Sequence, residues 1–369
     1  MSTRTARRAT LAAFGALVVG VGLGACGGDD DGGGGGGGGG SIALLLPETK
    51  TARYESQDRP RFERRVKELC SDCEIVYSNA DQDAAKQQQQ AEAAITKGVD
   101  VMVLDAVDAA SAGAIVNRAK QQQIPVISYD RLITNADIDY YISYDNVRVG
   151  QLQGETLAKK LKEENKQNGA IVQINGAPTD NNAKLFKQGA EGVFSKESIK
   201  VGKKYDTPDW SPDKAQQEME QAITSLGKNG FVAVYAANDG TAGGAIAAMK
   251  SAGIDPATRP TTGQDAELAA VQRILIGEQF MTVYKDVGVS EAPKAAELAV
   301  ALVQDKKPRS GLVNEQIDNG QKKVPSVILT PQAVTKDEVK DTIVKDAFFT
   351  AQQICTGKFA SACREAGIQ

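Results

Sequence analysis

VDVMVLDAVDAASAGAIVNRAKQQQIPVISYDR, residues 99–131, holds the unit from which the fold follows. Val99–Leu104 is a near-continuous apolar run, short enough for a strand. Residues 109–122 carry apolar side chains at helical spacing, and Ile124–Ser128 is a second apolar run. A strand, a helix of ten or more residues and another strand predict parallel pairing, with both sheet faces covered. The stretch then ends on Asp130-Arg131, two charges placed where a buried strand runs out.

The same alternation extends in both directions. Toward the N-terminus come Ile42–Leu46, a helix over 58–70, the strand Glu74–Tyr77 and a helix over 82–97. Toward the C-terminus the spacing predicts helices over 147–163, 181–196, 211–226, 241–252, 266–276 and 289–304. Strands are expected at Gly169–Ile174, Ile199–Tyr205, Phe231–Ala236, 260–263 and Gln279–Tyr284, with late ones around 311–317 and 325–329. More than ten strands overfill one comfortable open sheet. The fold class is therefore α/β, with two doubly wound parallel-sheet lobes and a cleft between them.

Ligands of open α/β sheets bind beyond the carboxyl ends of the strands, and polar residues collect there. Asp130 and Arg131 follow one strand, Asp180, Asn181 and Asn182 another, and Asn238 and Asp239 a third. Gln264 and Asp265, then Lys285, follow two more, and Arg53 and Tyr54 lie in the loop after the first strand. These side chains supply donors and acceptors in fixed geometry, which suits a ligand edged with hydroxyls. Each also has a plainer reading, since Asp and Asn form turns and cap helices. Asn238-Asp239-Gly240-Thr241 could be only a cap. Trp210, the single tryptophan, sits in a Pro-Asp-Trp-Ser-Pro loop and reads equally as a seam plug or as a stacking surface for a sugar.

Composition narrows the classes. The 369 residues include no histidine, which excludes His-based metal sites and Ser-His-Asp or Cys-His catalysis. The net charge of −4 and the lack of a basic, aromatic-interleaved stripe argue against a nucleic-acid partner. No cofactor or metal is called for. Paired carboxylates among Asp130, Asp180 and Asp265 could serve glycoside hydrolysis, but no further motif supports an enzyme.

The chain starts with an export signal. Arg4, Arg7 and Arg8 precede an uncharged apolar segment, and residues 1–25 end in Leu23-Gly24-Ala25 before Cys26. This string resembles a bacterial lipobox and makes Cys26 the expected lipidated terminus. Gly27–Gly40 cannot bury apolar surface, so 26–40 reads as lipidated Cys plus tether, a coil of roughly 20 Å span. Four further cysteines form two local pairs. In an oxidising compartment Cys70–Cys73 and Cys355–Cys363 disulfides are expected. A redox CxxC or a zinc site is the alternative, and the position of Cys70 and Cys73 after a helix and before a strand favours a staple.

Five strings carry a resemblance: YDRLITNADIDYYISYDN (129–146), APTDNNAKLF (177–186), ANDGTAGGAI (237–246), GQDAELA (263–269) and TVYKDV (282–287). With them the chain resembles the D-xylose-binding proteins of bacterial ABC importers, in the ribose/galactose-binding family of type I periplasmic binding proteins. The resemblance implies lobes joined by a three-crossover hinge: 41–146 plus 286–318, and 147–285 plus 319–346, with a tail over 347–369. It implies ligand contacts at Arg53, Asp130, Arg131, Asp180, Asn182, Trp210, Asn238, Asp265 and Lys285, with Tyr54 and Phe186 as apolar walls. It also implies a monomer that delivers a monosaccharide, D-xylose, to permease subunits in the membrane. A sensor presenting sugar to a membrane receptor would use the same fold. This chain departs from the family in its first loop. Tyr54 stands where Trp is usual, Pro47 and Glu48 stand for an acidic pair, and one extra residue lies between Tyr54 and Asp58. The sugar is thereby left open to another pentose or a hexose.

Overall fold

The computed structural model describes residues 39–286 and 290–369. The expected signal peptide, Cys26 and most of the glycine tether lie outside the described residues.

The strands are β1 (Ser41–Leu46), β2 (Glu74–Asn79), β3 (Val101–Leu104), β4 (Val126–Tyr129), β5 (Tyr140–Tyr144), β6 (Ala170–Asn175), β7 (Lys200–Asp206), β8 (Ala233–Ala236), β9 (Met281–Tyr284), β10 (Glu315–Asp318), β11 (Lys323–Leu329) and β12 (Gln332–Thr335). One sheet has seven strands in the order β10-β11-β5-β4-β3-β1-β2. All its pairings are parallel except β10 with β11. A second layer runs β7-β6-β8. Bridges at Val234–Thr261 and Gln264–Val283 carry it through residues 261–264 to β9, which pairs antiparallel with β12.

Strand alternation explains why both faces are covered. Ile42, Leu44 and Leu46 pack with Phe62, Val66 and the helix Ala292–Val303, whereas Ala43 and Leu45 pack with residues of the helices Ala84–Lys97 and Gly113–Gln121. In the second lobe Val172 and Ile174 face Met219 and Met249, and Ile171 faces Leu157 and Phe194. A sheet buried on both sides needs a helix after nearly every strand, and local signals place them. Asp83 accepts from the Ala85 and Lys86 amides at the start of one helix, which ends at Gly98 with φ 79°, a conformation glycine adopts without strain.

The chain crosses between lobes after β5, between β9 and Ala292, and after β11. The last crossing corrects the expected boundary at 318/319. Ser326–Leu329 pairs in parallel with Tyr141–Tyr144, so β11 belongs to the first lobe and only the chain beyond Leu329 returns to the second. Residues 260–263 form bridges and no strand of their own. The expected tail is also part of the second-lobe core, where Phe348, Phe349, Ile354, Cys363 and Ile368 are buried with Val271, Ile274, Leu275 and Tyr284. Both cysteine pairs are disulfides, Cys70–Cys73 and Cys355–Cys363.

Candidate functional site

Strand ends of both lobes converge on one small cavity. Thr51, Arg53, Tyr54, Asp130, Arg131, Asp180, Asn182, Phe186, Trp210, Asn238, Gln264, Asp265 and Lys285 line it. All eleven sequence-predicted ligand residues are thus brought together, with Thr51 and Gln264 added. None of the thirteen is more than 5% exposed.

Each side chain is aimed by its local structure. Asp130 leaves β4 at φ 53°, Trp210 has φ 53° and Asp265 has φ 95°. Left-handed backbone at non-glycine residues costs of order 1–3 kcal/mol each and persists only where the surroundings impose it. Asp180 caps the helix Asn181–Lys196 by accepting from the Asn182 amide. Asn238 caps the helix Asp239–Ser251, so its plainer reading holds as well: its Oδ1 accepts from the Thr241 amide at 2.9 Å while the residue lines the cavity.

The charges form one buried network across the lobes. Arg53 meets Asp130 in an ion pair, Asp58 at 2.8 Å and Asp265 at 3.2 Å. Lys285 Nζ lies 3.3 Å from Asp130 Oδ1. Tyr54 donates its hydroxyl to Asp130 Oδ2 at 2.9 Å, and Asn182 Nδ2 donates to the Asp130 carbonyl at 3.0 Å. On the other side, Arg131 Nε lies 3.1 Å from Asp180 Oδ2, which also accepts from Trp210 Nε1 at 3.0 Å. The Trp210 ring packs edge-on to Phe186 with centroids 6.3 Å apart. Both oxygens of Asp265 and the Nε of Arg53 are buried without a hydrogen-bond partner. The ion pair between Arg53 Nε and Asp265 Oδ1 compensates those two atoms, whereas Asp265 Oδ2 is costly unless something satisfies it.

A second layer of acids stands behind the lining. Glu48 and Asp105 approach Arg131 at 3.5 and 3.6 Å, and Glu291 approaches Arg53 at 3.5 Å. Burial works against the Asp130 charge, but Arg53, then Lys285 and Arg131, outweigh it and hold its carboxyl far below the usual range. Burial pushes Asp105 well up against the pull of Arg131. Burial and the Asp130 charge push Glu291 well up. Burial lifts Asp58 to about 6, opposed by Arg53 and the Tyr129 hydroxyl. The sequence reading assigned none of Glu48, Asp58, Asp105 and Glu291 to the site. Asp105 carried a usable signal, since it directly follows Leu104 at the end of β3. Glu291, far along the chain, carried none.

Across residues 42–307 the chain matches the sequence profile of the periplasmic binding protein domain. The chain belongs to the periplasmic binding protein family.

Its relatives agree. This periplasmic binding protein is 37% identical over 317 residues to the D-xylose-binding periplasmic protein of Haemophilus influenzae, covering 85% of this chain and 91% of that one. It is 31% identical to the multiple sugar-binding periplasmic receptor ChvE of Rhizobium radiobacter, over 85% and 92% of the two chains. Among solved structures it superposes on an ABC transporter solute-binding protein of Clostridium phytofermentans with bound β-D-glucose. That match has a TM-score of 0.76 at 28% identity and covers 85% of this chain and 99% of the other. These relatives are named for binding, and none for a reaction.

Proposed function

We propose that the chain is an extracytoplasmic sugar-binding protein, tethered to the membrane through Cys26, that takes D-xylose and hands it to an ABC permease by closing its lobes. The observation that carries the sugar reading is the charge balance of the lining. Asp130, Asp180 and Asp265 face Arg53, Arg131 and Lys285, three charges of each sign and all buried. A neutral polyhydroxyl ligand can both donate to the carboxylates and accept from the cations. A sugar acid or an amino sugar would leave an uncompensated charge in a dry site. Phe186 and Trp210 provide apolar surface for the C–H face of the ring.

D-xylose is favoured among sugars by the relative named for it at 37% identity. Closure is favoured because Asp130 and Arg131 from one lobe and Asp180, Asp265 and Lys285 from the other meet around the same space. The ligand draws the lobes together by its differential affinity for the closed form. Import through a permease is supported by the solute-binding proteins of ABC transporters among its structural neighbours. The receptor among its relatives favours a second reading, presentation of sugar to a membrane sensor.

Calorimetric titration of the full chain with D-xylose, ribose, arabinose, glucose and galactose tests the reading. One-to-one binding with D-xylose tightest is expected. Binding of a hexose in preference moves the error to the Pro47–Tyr54 loop, and binding of none overturns the sugar reading. The anchor is tested separately: Cys26→Ala should move the protein from the membrane to the soluble fraction, and unchanged membrane association would overturn it.

A further inference from the structure

Contact between the lobes continues outside the cavity. The C-terminal segment is fixed to the second lobe by its buried side chains, by the Phe348 ring edge-on to Tyr284 at 5.2 Å, and by Gln272 Nε2 donating to the Ile354 carbonyl at 3.0 Å. The Cys355–Cys363 disulfide closes its last turn. At the start of this segment Ala347 adopts φ 53°, and two successive carbonyls face the first lobe. Gln57 Nε2 donates to the Phe348 carbonyl at 3.1 Å, and Arg61 donates to the Ala347 carbonyl at 3.0 Å. Arg61 Nε also donates to Gln57 Oε1 at 2.9 Å, which orients the amide.

Gln57 is 5% exposed and belongs to the π-helical turn Tyr54–Asp58. That turn follows directly on Arg53 and includes Tyr54, two residues of the cavity wall. Its amide therefore connects the sugar-facing loop of one lobe to a rigid, disulfide-closed segment of the other. When the lobes part, the Phe348 carbonyl stays with the second lobe and the contact is given up to water.

We propose that Gln57 is a positioning residue for solute capture, latching the Arg53–Tyr54 turn to the Phe348 carbonyl in the closed form. The inference rests on the closure reading above. Gln57 does not line the cavity, so it acts on the population of the closed form. Apparent affinity scales with the fraction of protein that is binding-competent. Loss of the latch therefore weakens every ligand by the same factor, roughly three- to tenfold for one neutral hydrogen bond. A residue that touched sugar would alter the ratio between sugars.

The test is titration of full-length wild type, Gln57→Ala and Gln57→Glu with D-xylose and with D-glucose, alongside melting of each sugar-free protein. Both dissociation constants should rise by one common factor, more for Gln57→Glu, which sets a carboxylate oxygen against the carbonyl. The sugar-free melting temperatures should stay together. Unchanged affinity in both variants, or a changed ratio between the sugars, overturns the latch. A purely structural role would lower the melting temperature and leave affinity alone. If wild type binds neither sugar, the D-xylose reading fails by itself. Small-angle scattering then decides the latch, which requires a larger radius of gyration for sugar-free Gln57→Glu than for wild type; equal radii overturn it.

Discussion

Replacing Asp265 by alanine should cost this protein most of its affinity for sugar. Asp265 is 1% exposed, sits at φ 95° after the 261–264 segment, and has two carboxylate oxygens without a hydrogen-bond partner. Arg53 Nε is 3.2 Å away and Lys285 Nζ 3.9 Å away, near enough to stabilise the charge. The open acceptors are where a ligand's hydroxyls would donate. A hydrogen bond to a charged group contributes about 1.5–3 kcal/mol, and truncating one member of a buried, charged pair costs about 2–5 kcal/mol. At about 1.4 kcal/mol per decade, this is a roughly 30- to 3,000-fold rise in Kd. The range includes the penalty of leaving Arg53 and Lys285 less compensated in the closed form. Calorimetry with D-xylose reads the loss, and a thermal melt of the sugar-free variant controls for folding. A folded Asp265→Ala protein whose Kd stays within threefold of wild type would falsify the assignment of Asp265 to the ligand, and with it the argument from its unpartnered oxygens.

Stability should also respond to pH in an unusual direction. Burial raises Asp58 from 3.8 to about 6 and Asp239 from 3.8 to about 7, so the folded state holds protons that the unfolded chain has released. Their contribution is complete below about pH 4 and is lost progressively from there to about pH 7. Asp58→Asn and Asp239→Asn should flatten the fall in melting temperature between about pH 4 and 7; an unchanged slope would count against these protonation states. A Cβ at Gly176 would lie 2.0 Å from the Trp210 ring. Gly176→Ala should therefore displace the indole and weaken sugar binding about tenfold, and an unaltered Kd together with unaltered tryptophan fluorescence would show that the ring has room to spare. The Cys355–Cys363 bond spans a separation of 8 residues within the buried C-terminal segment. Its removal as the double serine variant should lower stability by about 2–3 kcal/mol in denaturant titration; no change would mean that the apolar contacts of Phe348, Phe349 and Ile354 suffice.

The parts legible in the sequence were those that repeat a local rule. Runs such as Val101–Leu104 and Val126–Tyr129 are apolar throughout because both faces are covered, and they are strands in the fold. Tyr140–Tyr144, sequence YYISY, was not anticipated as a strand. Its aromatics and serine do not read as a buried run, and only its place between β4 and β11 explains them. The boundary after residue 318 failed for a related reason. Lys323–Leu329 folds back on β10 as an antiparallel partner before joining β5, and a turn between two strands of one sheet looks in sequence like a turn between lobes. The cavity was easier, because most of its predicted members follow a strand or lie in the loop after one; Phe186, inside the helix Asn181–Lys196, came only with the family resemblance. The acids behind it were harder. Glu291 faces Arg53 only through long-range folding, and nothing in its neighbourhood marks it as buried; Glu48 sits in the loop after β1, but its pairing with Arg131 appears only in the fold.

The π-helical turn at Tyr54–Asp58 bears on how such a pocket can change over generations. Adding a residue to an α-helix rotates everything beyond it by about 100°. Here the Arg59 amide reaches back five residues to the Tyr54 carbonyl, so the widened turn holds one residue more than an α-helical turn would. Phe62 and Val66 still face the core. The first loop of the pocket can thus vary in length as well as in composition while the helix behind it keeps its packing.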